Sequence, residues 1–163
     1  MANNRFSGRD RTKRTNRSRG VKVMKLQGGE IIPGVSISNV YLNMDIEDLE
    51  KIIGKDYTVY ELGGRFGKTL RIENAEFWVG NDDKVYQITV SGDYTGTFRG
   101  VGIGSKLPDV EKFTTWKEDE DEVYILPEFP GICLELGDTD DPYGWDEREA
   151  PIEYITVDFR SGR

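Results

Sequence analysis

Two stretches of this chain, VYLNMDIEDLEKI at positions 40–52 and VGIGSKLPDVEKF at positions 101–113, align at a constant offset of 61 residues, and their likeness governs how the rest is read. The alignment sets Leu42 on Ile103, Ile46 on Leu107, Leu49 on Val110 and Glu50-Lys51 on Glu111-Lys112. Apolar residues recur at 46, 49, 52 and 53 in the first copy and at 107, 110 and 113 in the second. Steps of three and four are the period of one helical face, so the spacing predicts helices over 46–53 and 107–113. Asp45 stands where it can cap the first helix, and Gly54 can end it in the left-handed conformation. Ser105 or a neighbour must cap the second, where Pro108 fits because it falls in the first turn.

The residues after each predicted helix are strand-like. YTVYEL (57–62), KTLRI (68–72), AEFWV (75–79) and KVYQITV (84–90) come after the first, separated by the turn signals GGRFG and NDD. EVYIL (122–126), GICLEL (131–136) and PIEYITVDF (151–159) come after the second. QITV at 87–90 is echoed by YITV at 154–157, now at an offset of 67. The extra residues fall largely in an acidic insertion, GDTDDPYGWDEREA at 137–150, and an insertion in one copy of a repeat is where private function tends to reside. Composition agrees with a sheet-rich chain: 12 Val and 13 Ile stand against 3 Ala in 163 residues. The expected fold is α+β, with two tandem units over 24–98 and 99–160, each a short helix packed on an antiparallel sheet.

Charge divides the chain unevenly. Residues 1–23 carry eight basic side chains and one acid, so the formal net charge of −8 leaves −15 for the remainder. That first segment lacks apolar periodicity and Met24 opens the patterned sequence, so it reads as a basic disordered arm or as sequence upstream of a native start, with an anion-binding arm as the alternative. Between Lys117 and Glu149 there are 13 acids against two basic residues. They include two blocks, Glu118, Asp119, Glu120, Asp121 and Glu122 in a row, and Asp138, Asp140, Asp141, Asp146, Glu147 and Glu149 around Tyr143 and Trp145. Such blocks repel themselves unless solvated or met by positive charge, and a field of one sign accelerates the approach of a cationic partner. Trp116 and Trp145 each lie beside a block, and an aromatic ring set among charges has the composition of an interface anchor.

The pattern of a Gly-bearing lead-in, an aliphatic-Gly-small triplet, a short acidic helix and an antiparallel sheet, met twice, resembles the tandem units of beta-lactamase inhibitory protein. More closely, IPGVSISNVYLNMDIEDLEKIIG, VGIGSKLPDVEKF and FPGICLELGD resemble immunity proteins that neutralise the toxins of bacterial polymorphic or contact-dependent systems. Asn43 stands where the pattern has Gly, and Asn tolerates the left-handed conformation. The resemblance implies a non-enzymatic inhibitor whose partner is a cognate toxin domain.

Much chemistry is excluded outright. The chain has no His and one Cys, Cys133, so imidazole-based catalysis, Cys/His zinc sites and an internal disulfide are impossible. GGRFGKT at 63–69 fails as a phosphate-binding loop, because the required first Gly would be Leu62 and a strand comes after it. Asp138 to Glu149 has acids at positions 1, 3, 9 and 12 of a calcium loop, but Tyr143 occupies the position that needs Gly. Runs of adjacent surface carboxylates do not provide the burial that separates an acid from a base, so no catalytic residue, metal or cofactor is expected. Neither a membrane span nor a secretory signal is legible, which points to the cytoplasm, and the acidic body is not expected to bind nucleic acid. The reading is an immunity protein that blocks a cationic toxin domain, for instance a nuclease. Its binding residues are Trp116, Glu118, Asp119, Glu120, Asp121, Glu122, Asp138, Asp140, Asp141, Tyr143, Trp145, Asp146 and Glu147. The alternatives are a phage or mobile-element protein that antagonises a host defence factor by acidic mimicry, and a structural binding module.

Overall fold

The computed structural model describes residues 24–139 and 142–159, so the basic segment 1–23 lies outside the described residues. The chain is α+β and dominated by one antiparallel sheet. A meander of three two-residue strands opens it: β1 (Ile31–Ile32), β2 (Ser36–Ile37) and β3 (Val40–Tyr41). Helix α1 (Ile46–Ile53) is next, then β4 (Thr58–Glu61), β5 (Lys68–Ile72), β6 (Ala75–Val79) and β7 (Val85–Val90). Helix α2 (Leu107–Val110) leads into β8 (Lys117–Glu118), β9 (Tyr124–Ile125), β10 (Ile132–Leu136) and β11 (Ile152–Asp158). The eight later strands form one sheet in the order β4-β5-β6-β7-β11-β10-β9-β8. Each set of four therefore runs inward from its own edge, and the sets meet at β7 and β11.

At that junction Ile88-Thr89-Val90 lies antiparallel to Ile155-Thr156-Val157, with Thr89 opposite Thr156. Alternation along the strands sends Leu70, Phe77, Ile88, Val157 and Ile132 to one face, where each is buried. They share a single apolar cluster with Leu49 and Ile53 of α1, Leu107 and Val110 of α2, and Ile31, Ile37 and Val40 of the meander. Both helices therefore pack on this face. The opposite face carries a polar row across the sheet, Thr58, Arg71, Glu76, Thr89, Thr156 and Cys133.

The helix ends differ from the sequence-based expectation in two respects. Asp45 is the N-cap residue of α1, yet its side chain makes no capping bond; it pairs instead with Lys84 at 2.7 Å. Gly54 does end α1, at φ 80°, its N–H reaching the Glu50 carbonyl at 2.8 Å. The second helix was expected over 107–113 but stops at Val110, continuing as a turn in which Phe113 and Thr114 N–H both reach the Val110 carbonyl at 3.1 Å. The β-branched pair Thr114-Thr115 and the absence of a terminating glycine favour that early stop. Its cap residue is Lys106, whose N–H is held by the Asp109 carboxylate at 2.9 Å, while the Ser105 hydroxyl accepts the Gly102 N–H at 3.0 Å. Asn43 adopts φ 73°, the left-handed value expected of it.

Two features fix the first residues described. The Asn74 side chain, buried at the turn between β5 and β6, accepts the Leu26 N–H at 2.8 Å and donates to the Leu26 carbonyl at 3.1 Å. Tyr94 OH donates to the Gly29 carbonyl at 2.7 Å and accepts the Gly29 N–H at 3.1 Å. The two edges of the large sheet are unlike. At one, β8 offers two charged residues. At the other, the Leu62 N–H to Gly67 carbonyl bond of 2.8 Å sets the register, so the peptide groups of Val59 and Glu61 point away from β5.

Candidate protein-interaction surface

The row Glu118 to Glu122 is the tip of a hairpin between β8 and β9, at the edge of the sheet. A row of five like charges needs a backbone device to turn it, and Asp119 supplies one. Its carboxylate accepts the N–H groups of Asp121 at 2.9 Å and Val123 at 3.0 Å, and its own N–H reaches the Val123 carbonyl at 2.9 Å. Glu122, expected to open a strand, lies instead in the turn at φ 62°. Glu118, Glu120, Asp121 and Glu122 are exposed, whereas Asp119 is half-buried.

The second block joins this hairpin through a single buried phenol. Tyr124 is sealed in the core, and its hydroxyl donates to the Glu147 carboxylate at 2.7 Å. Burial and the adjacent carboxylate push the phenol well above its ordinary pKa, so it remains a donor at all ordinary pH values. Trp116 packs edge-on against Tyr124, with ring centroids 5.4 Å apart. The Trp116 indole N–H donates to Glu111 Oε2 at 2.9 Å, and Arg148 forks onto both Glu111 oxygens at 2.8 Å. Those two donors hold the Glu111 carboxyl down at a pKa of about 2. Lys106 adds a tie to Glu149 at 3.2 Å. Residues separated by more than twenty positions thus form one acidic surface resting on α2 and β9.

The binding residues expected from sequence divide by environment. Glu118, Glu120, Asp121, Glu122, Asp138, Asp146, Tyr143 and Trp145 are exposed on this surface, Tyr143 at 96% and Trp145 at 52%. Trp145 is anchored by its indole N–H on the Gly137 carbonyl at 2.9 Å. Trp116, Asp119 and Glu147 are half-buried and occupied with bonds that hold the surface together. Asp140 and Asp141 lie outside the described residues. Sequence reasoning missed Glu111 and Arg148, because nothing in a one-dimensional pattern pairs a helix-end acid with the only base of a distant insertion.

The strand aromatics separate onto the two faces of the sheet. Phe77 and Tyr124 are buried on the helix side. Tyr60 is half-buried on the polar face, under the guanidinium of Arg71 at 4.5 Å from its ring centre. Tyr154 is on that polar face too, opposite Glu135.

Among the described residues no group of three or more Cys, Asp or Glu side chains could hold a metal ion, and no helix is long and apolar enough to cross a membrane. Comparison with protein-family models, curated proteins and solved structures finds nothing that matches this chain.

Proposed function

We propose that this protein is a non-enzymatic inhibitor that binds a cationic protein domain through the surface formed by the 117–125 hairpin and the 138–149 loop. The observation that carries this reading is the Tyr124–Glu147 bond of 2.7 Å, which brings two acidic blocks together that the chain keeps apart. A merely solubilising surface has no need to be pinned by a buried phenol, an aromatic pair and a bidentate Arg148–Glu111 bridge. The arrangement preorganises carboxylates, so the cost of confining like charges is met in folding and not on binding. Tyr143 and Trp145 add apolar area to the charge, the combination that gives steering and slow dissociation together.

The resemblance to toxin immunity proteins fits this reading, with a cytoplasmic toxin domain as the partner and a basic, phosphate-binding groove as the surface it would cover. The same reading takes the chain as two related units. It is supported by the inward strand order of the large sheet and by the facing Ile-Thr-Val segments of β7 and β11.

Co-expression with the product of the adjacent reading frame tests the proposal. If that product arrests growth, this chain is expected to restore growth and to co-purify with it as a stable complex. Arrest that persists with full expression of folded protein would overturn the inhibitory role.

A further inference from the structure

Arg99 lies over three phenylalanine rings at once. Its guanidinium carbon is 5.8 Å from the centre of Phe98, 5.7 Å from Phe113 and 4.9 Å from Phe129. The rings are mutually edge-on, with centroid separations of 5.6, 5.1 and 6.1 Å. All three cation–ring distances fall within the roughly 6 Å reach of a cation–π attraction. The charge is thereby held in place, while the side chain is exposed and, among the described residues, makes no ion pair or hydrogen bond. This exposed side chain carries five N–H donors, in a body where acids outnumber bases by about two to one.

The turn that carries Arg99 is itself unusual. Phe98 and Val101 exchange two bonds of 2.9 Å around Arg99 and Gly100, whose φ values are 52° and 84°. Positive φ at both central residues is the two-residue hairpin turn that favours Asn-Gly. Arginine at its first position carries a left-handed strain that Asn or Gly would relieve, and such strain concentrates where a side chain is needed for a task.

We propose that Arg99, seated on Phe98, Phe113 and Phe129, is an anion-receiving anchor for a carboxylate side chain of the protein partner. A planar guanidinium with its fork free matches a carboxylate bidentately. The acidic blocks argue against a polyphosphate, since Phe113 is three positions before Trp116 and their field repels a continuous polyanion but tolerates one isolated carboxylate. That the carboxylate belongs to a protein rests on the proposed function; that the anchor receives carboxylate does not.

The test uses the full chain alone, so that its failure is separable from failure of the inhibitory reading. Sodium acetate is titrated while the Arg99 Nε–H and the Gly100 amide are followed by proton–nitrogen correlation spectroscopy, with sodium chloride at equal ionic strength as the control. A saturable shift of both signals in acetate alone is expected, and in Arg99→Asn, which suits the turn, the Gly100 amide should no longer respond. Equal shifts in chloride, or a Gly100 response that survives Arg99→Asn, would reduce Arg99 to a lid on the rings and overturn the proposal. A larger response to dimethyl phosphate than to acetate would overturn the choice of carboxylate.

Discussion

The hydroxyls of Thr89 and Thr156 lie 2.7 Å apart across the junction of β7 and β11, both buried and each facing its counterpart in the same Ile-Thr-Val segment. One hydroxyl donates to the other in a single buried bond, so the two are energetically coupled. Replacing either by Val strands the remaining hydroxyl and should cost about 1–3 kcal/mol, while replacing both should recover much of that loss. Urea denaturation of the two single variants and the double variant measures the coupling, and strict additivity would show that the pair does not act as a unit.

Acid should loosen the underside of the acidic surface. The Glu111 carboxyl is depressed from 4.5 to about 2 by Arg148 and Trp116, and a depressed folded pKa means stability that is present above the unfolded value and lost on acidification. The stability difference between the parent and Glu111→Gln should therefore be constant near neutrality and vanish as pH falls from about 4.5 to about 2. Trp116 fluorescence should report the same titration. Glu135 has the opposite sign: although the residue is exposed, partial desolvation of its carboxylate against the sheet and the nearby Glu153 raise its pKa, so its protonation on acidification favours the folded state. Glu135→Gln should accordingly raise the melting temperature at neutral pH and lose that advantage in acid.

The Asn74 clasp makes a sharper demand. Asn74→Ala leaves both polar backbone groups of Leu26 unsatisfied in a buried setting, with an expected cost of about 2 kcal/mol or more. Hydrogen exchange of the Leu26 amide should accelerate well beyond what the global loss accounts for, and unchanged protection would refute the clasp.

On the acidic hairpin, residues of the same charge should behave differently. Glu120→Lys with Asp121→Lys should leave stability within about 0.5 kcal/mol and slow association with a cationic partner at low salt, an effect that added salt erases. Asp119→Lys should destabilise by about 1–2 kcal/mol, since it removes two turn bonds. Equal behaviour of these variants in thermal melts would mean that the Asp119 turn contributes nothing.

The large sheet was legible because its strands alternate and its turns carry Gly, Asn and Asp: the spans read for β5 and β6 coincide with those formed. The meander β1–β3 and the two-residue β8 were not read, since pairs of residues hold too few alternations to form a pattern and owe their pairing to long-range contact. Glu122 was misplaced by one turn because a run of five acids hides which carboxylate bonds the backbone. The acidic surface itself was visible as composition, but its unity was not. It depends on Tyr124, which in sequence is simply one more strand aromatic.

The unequal edges of the sheet bear on how this chain behaves in concentrated solution. At the β4 side the outward peptide groups of Val59 and Glu61 lie beside exposed Val59, Leu62 and Phe66, and on this edge strand Glu61 is the only charged residue. Natural sheets guard such borders with charge, and here one carboxylate is the gatekeeper. Neutralising Glu61 would turn this border into a template for stacking chain upon chain, so solubility limits and fibril formation should hinge on a residue at the sheet edge opposite the acidic hairpin.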